Sequence, residues 1–286
     1  ARWGIYMLEL ASGDVELVYS SAEQIGFLCL DPAGRRFAFA GKPSGSGDES
    51  YELYTLAADG TGLTRLTDNG WLDAYPRWSP DGTQMAFLSF PDSTLDIYVM
   101  DADGSNRRRL FDSGGHDGDI DWVSDMMVFT AGSRVWRMRP DGTDPVVVTD
   151  PPRAGKWGNA PLPFGDYDPR ISPDGTRIVF ERMVDDSSPH GNYDLYMVNA
   201  DGTGEHALTH TGYTQGLASW SHDGTRIVYL VSAMGTEGCY DIYMMNADGT
   251  GDASVTPAYF PAGFLCHDAV FAPGDQQVYF IGEWWQ

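Results

Sequence analysis

Basic residues are scarce in this chain: 18 lysines and arginines stand against 41 aspartates and glutamates, a formal charge of −23 at pH 7 over 286 residues. A surface this acidic repels phosphate backbones, and no basic stripe interleaved with aromatics relieves it, so nucleic acid is excluded as a partner. Cysteine is scarce as well, and three residues cannot form a fully paired disulfide framework. No apolar run reaches the length of a membrane-spanning helix, and no segment sustains the periodicity of an amphipathic helix. Enzyme signatures are missing too: there is no Gly-x-Ser-x-Gly elbow, no His-Glu-x-x-His, no Walker loop and no Cys-x-x-Cys.

What the chain has is repetition. "YPRWSPDGTQMAF" from Tyr75 returns as "DPRISPDGTRIVF" from Asp168 and as "ASWSHDGTRIVY" from Ala218. A second phrase follows each copy: "LDIYVMDADGSN" from Leu95, "YDLYMVNADGTG" from Tyr193 and "YDIYMMNADGTG" from Tyr240, with a fainter "YELYTLAADGTG" from Tyr51. The Asp-Gly pairs of the second phrase step along the chain at intervals of about 40 to 60 residues, the spacing of four-stranded propeller blades. Each phrase is a β-hairpin in outline, two short apolar runs about a turn in which glycine accepts positive φ. Two hairpins make four strands, A to D. The 34 glycines and 17 prolines suit such turns.

The ends complete the count. Residues 1–19 match strands C and D, and residues 258–286 match strands A and B, so together they form one blade. Five others span about 20–67, 68–112, 113–150, 151–210 and 211–257. The predicted fold is a single all-β domain, a six-bladed propeller closed by a clasp of first and last strands that removes open sheet edges. Antiparallel order places the A–B and C–D turns on one face and the irregular B–C and D–A connections on the other. Variable loops on a rigid frame usually carry function, so the irregular face is expected to hold the site.

The phrases "WSPDGTQMAF", "ISPDGTRIVF", "WSHDGTRIVY" and "DIYVMDADG", "DLYMVNADG", "DIYMMNADG" resemble the PD40, or WD40-like, repeats of the TolB propeller family. The resemblance covers nearly the whole chain. It implies the fold and an extracytoplasmic location, periplasmic or secreted. It does not choose an activity, because related repeats also occur in peptidase propellers and polysaccharide lyases. Blade 3 departs from the first phrase with "DWVSDMMVFT". The separate N-terminal domain of TolB has no counterpart, and the chain can also be read as the propeller part of a larger protein.

Among candidate site residues, the turn aspartates Asp81, Asp174 and Asp223 read as turn formers. Asp73, Asp117, Asp166 and Gln215 share one position just before strand A, the strand nearest the axis. Their convergence on a channel mouth, extended by Asp119, Asp121 and Asp168, would offer the oxygen ligands that calcium takes. The alternative is that each caps its own loop while water fills the channel. Trp71, His116, Trp157, Phe164, Tyr213, Phe264 and His267 lie on the irregular face, where they would grip a protein, peptide or glycan or else wedge between blades. Arg107, Arg108 and Arg109 read as a solvated edge. The function expected is that of a monomeric, non-enzymatic binding propeller. A lyase or hydrolase acting on a glycan or peptide at the channel mouth is the alternative, with His116 and His267 as acid–base candidates. Cys29 is expected as a buried free thiol, whereas Cys239 and Cys266 either form a disulfide or stay unpaired.

Overall fold

The computed structural model describes residues 2–45, 50–187, 190–233, 240–261 and 263–284. Among them there is no helix, and the strands form six four-stranded antiparallel sheets. Five sheets are each built from consecutive strands. The sixth joins Arg2–Glu9 and Val15–Ser21 to Phe264–Phe271 and Gln277–Trp284, with an unbroken register from Arg2↔Trp284 to Glu9↔Gln277. The chain is thus a six-bladed propeller with the expected clasp. No described helix is present to cross a membrane.

The repeated phrases persist because each turn needs its whole set of residues. In the first, Asp81 Oδ1 accepts from Ser79 Oγ (2.6 Å), Thr83 N (3.0 Å) and Thr83 Oγ1 (2.8 Å), while Gly82 takes φ 69°. Asp174 and Asp223 repeat these contacts. Donors from the neighbouring serine and threonine hold all three carboxyls at about 2. In the second phrase Asp59, Asp103, Asp141, Asp201 and Asp248 bind the Thr or Ser two residues on in the same way. Gly60 has a further reason to be glycine: a Cβ there would lie 2.1 Å from the carbonyl oxygen of Val18, in the clasp.

The core lies between blades. Phe37 and Phe39 of blade 1 pack with Ile5 and Ile281 of blade 6, and Val179 and Leu195 of blade 4 pack with Trp220 and Ile227 of blade 5. Four of the six outermost strands are only two residues long, Thr64–Arg65, Val146–Val147, His206–Ala207 and Ala253–Ser254, while Arg108–Phe111 has four and Val15–Ser21 seven; the short ones limit exposed pairing edges. The inner strands Ile25–Leu30, Asp73–Trp78, Asp117–Val123, Asp166–Ile171, Tyr213–Trp220 and Phe264–Phe271 each pack on the next around the axis. They line the channel.

Candidate functional site

Every inner strand breaks register at the same place. The breaks fall between Gly26 and Cys29, Ala74 and Arg77, Gly118 and Asp121, Tyr167 and Arg170, Gly216 and Ser219, and His267 and Ala269. Within each bulge one non-glycine residue takes a left-handed backbone: Phe27, Tyr75, Asp119, Asp168, Leu217 and Asp268, with φ from 43° to 61°. Such backbone costs about 1–3 kcal/mol per residue and persists where surroundings fix it. Neighbouring blades do so at three of the six. Asp268 Oδ2 accepts the Phe27 N–H (2.7 Å), Asp119 Oδ2 accepts that of Asp168 (3.3 Å) and Glu181 Oε1 accepts that of Leu217 (2.5 Å). Gly216 makes room for Glu181, since a Cβ would stand 2.5 Å from its Oε1. Burial and mutual repulsion raise the pKa of Asp119 to about 7, and those of Glu181 and Asp268 are raised as well.

Two residues further along each strand comes a second ring: Cys29, Arg77, Asp121, Arg170, Ser219 and Val270. These six residues line a cavity of about 370 Å³ together with Trp78, Trp122, Trp220 and the turn residues Pro32, Pro80 and Pro173. All six blades contribute. The cavity opens on the face of the A–B turns, opposite the irregular face on which the site was expected. At its floor Arg170 pairs with Asp168 (3.1 Å), and Arg77 lies 3.9 Å from Asp121. Burial and the nearby Arg170 lower the pKa of Arg77.

The residues expected to converge at the loop-side mouth are instead turned into their own surroundings. Asp73 is fully buried and holds Arg107 through both oxygens (2.9 Å each), with Ser89 Oγ and Asn69 Nδ2 at 2.6 Å. Asp166 holds Arg182 at 2.6 and 2.8 Å. Gln215 bonds to Thr209 and Thr211. Asp117 has no arginine; its Oδ2 accepts from Ser113 N at 3.3 Å, its Oδ1 is unpartnered, and burial raises it to about 6. Asp119 and Asp168 adjoin one another in the bulge ring, away from that set. Among the described residues no three His, Cys, Asp or Glu side chains are grouped to hold a metal ion. Arg107 is therefore a brace rather than a solvated edge, and Arg109 likewise pairs with Asp96 (3.1 Å).

The aromatic candidates divide. Trp157 and Tyr213 are 71 % and 52 % exposed, and Trp71 is 38 % exposed beside Arg107. Phe164 is buried under Arg153, and Phe264 packs on Tyr6 and Phe260. His116 accepts the Leu95 N–H and stacks on Phe90. His267 sits between Trp3 and Tyr240, with Nε2 3.3 Å from Glu283. Cys29 and Cys266 are buried free thiols, raised by burial to about 11 and 12; Cys239, the expected partner of Cys266, lies outside the described residues. Sequence reasoning missed Arg77, Arg170, Asp268 and Glu181. The repeated Pro-Arg of "YPRW" and "DPRI" was the available signal for the first two.

A putative TolB from Agrobacterium tumefaciens superposes with a TM-score of 0.77 at 15% identity, over 100% of this chain and 99% of that one. The fold is a TolB-like propeller. TolB from Acinetobacter baumannii gives 0.66 at 17% identity, over 99% of this chain and 63% of that one. An oligogalacturonate lyase from Vibrio parahaemolyticus gives 0.54 at 13% identity, covering 98% and 96%. At these identities the likeness establishes the fold alone. No protein-family model matches the TolB-like chain, and no curated protein sequence does.

Proposed function

We propose that the protein is a monomeric, non-enzymatic binding propeller that receives a protein segment, peptide or glycan at the turn-side mouth of its channel. The observation that carries this is the cavity itself. All six inner strands build it, its walls are aromatic, and its floor presents two arginines in a chain with few cations to spare. A concave, largely apolar pocket with a few convergent polar groups is the usual form of a ligand site.

The nearest thing to an acid–base pair at this cavity is His222 Nδ1 with Asp275 Oδ1, 2.8 Å apart. Asp275 also accepts the backbone N–H groups of His222 and Asp223, so the pair ties blade 5 to blade 6. That favours binding over catalysis. The TolB-like fold supports an extracytoplasmic location, which fractionation of the source cell checks.

Peptide and glycan arrays probed with the wild type and with Ser219→Trp, which fills the cavity, test the reading. Ligands held by the wild type and lost from a normally melting variant support it. Ligands held equally by both, or turned over, contradict it.

A further inference from the structure

We infer that the turn-side cavity reads a carboxylate, and that it takes the free C-terminal end of a peptide. This rests on the proposal that the cavity is the binding site. Arg77 and Arg170 occupy the same repeat position in blades 2 and 4, flanking Asp121 of blade 3. Each donates Nη1 to the carbonyl of its own preceding proline, at 2.8 Å to Pro76 and 2.9 Å to Pro169. Both guanidinium planes are therefore set before any ligand arrives, which lowers the entropy lost on binding.

At Arg77 neutralisation is incomplete. Elsewhere Arg107 and Arg182 each grip a buried aspartate with two close bonds. Arg170 has one such bond, to Asp168, and although burial works against its charge, Asp168, Asp121, Asp119 and Asp268 together raise its pKa. Arg77 has none: its nearest carboxylate, Asp121, is 3.9 Å away and gives its other oxygen to the Ile171 N–H at 2.8 Å. With only 12 % of its side chain exposed, a cation left in this state gains from an incoming anion. The planar two-oxygen fork of a carboxylate matches guanidinium geometry.

Shape and charge narrow the class further. The cavity ends at Leu217 and Asp268. Beneath it Tyr75 stands among Asp119, Asp168 and Asp268 and packs on Phe27, ring centroids 3.9 Å apart. A chain can enter by its end but does not thread through. The same acids oppose a dianion such as phosphate more strongly than a monoanion.

Random tripeptides prepared as free acids, as amides lacking Asp and Glu, and as amides containing them test this by ultrafiltration and mass spectrometry. Free acids should be retained at least about tenfold better than neutral amides, the worth of one charge-assisted contact. Arg77→Met should lose about tenfold while melting like the wild type; Arg170→Met should lose as much binding but melt lower, because Asp168 is left without its partner. Equal retention of neutral amides, unchanged binding by both arginine variants, or no retention of free acids overturns the inference. Retention of acidic amides as strong as that of free acids overturns its chain-end part and leaves carboxylate recognition standing. Free-acid binding that survives Ser219→Trp contradicts the placement in the cavity, and with it the underlying reading.

Discussion

The two ends of the same six inner strands treat charge in opposite ways. At the loop side, Asp73 and Asp166 are each saturated by an arginine, and the pairs work as internal braces. At the turn side, Arg77 and Arg170 both face a cavity; Arg170 is paired with Asp168, whereas Arg77 has its charge only partly answered. A charge fully matched by its neighbours has become structure, whereas one left short of partners beside open space is available to a ligand. Blade 3 shows the difference within the loop-side set: Asp117 lacks the arginine that Asp73 and Asp166 hold, and one of its oxygens has no partner.

The comparison presupposes a closed ring, and the largest effect comes from opening it. Deleting residues 2–21 removes two strands of the closing sheet and exposes the Gln277–Trp284 edge; the product should aggregate or unfold, as light scattering and circular dichroism would show. Next, Asp73→Ala leaves Arg107 unanswered and should cost about 3–5 kcal/mol in denaturant unfolding. A loss close to zero would mean that the loop-side pairs are not braces.

The pH profile separates two other aspartate populations. Turn carboxyls held at about 2 contribute stability above the usual carboxylate pKa near 4 that is lost as pH falls toward 2. Asp117 and Asp119, raised to about 6 and about 7, keep protons in the folded state that the unfolded chain releases, so their effect is to lower stability as pH rises from about 4 to 7. Asp119→Asn keeps an acceptor for the Asp168 N–H and should flatten that decline, raising the melting temperature at pH 8 by roughly 2–4 °C. Arg77→Met should change stability by less than about 1 kcal/mol, since a partly answered buried cation contributes little to folding. Millimolar calcium should leave the melting temperature unchanged, because Asp73 and Asp166 are already occupied by arginines; a clear rise would restore the channel-mouth ion.

The blade count and the clasp were legible because turn chemistry repeats: Ser-Pro-Asp-Gly-Thr carries its own hydrogen-bonding program wherever it stands. The site was less so. Asp73 and Asp119 sit at comparable distances from a strand start, and only the bulge decides which of them reaches the axis. Aspartate, which tolerates positive φ, fills half of the bulge positions (Asp119, Asp168 and Asp268), but Phe27, Tyr75 and Leu217 fill the rest, so residue type alone does not mark the bulge. The partners of Asp73 and Asp166 come from elsewhere in the blade, where Arg107 had the look of an exposed edge residue. Arg77 and Arg170, by contrast, share a visible Pro-Arg column whose meaning depended on knowing which way the strand faces.

Titrating one retained free-acid tripeptide against two variants weighs the two channel ends directly. Arg77→Met/Arg170→Met should lose binding while Trp71→Ala/Trp157→Ala/Tyr213→Ala keeps it; binding lost from the loop-face variant and kept by the arginine variant would contradict a turn-side carboxylate site.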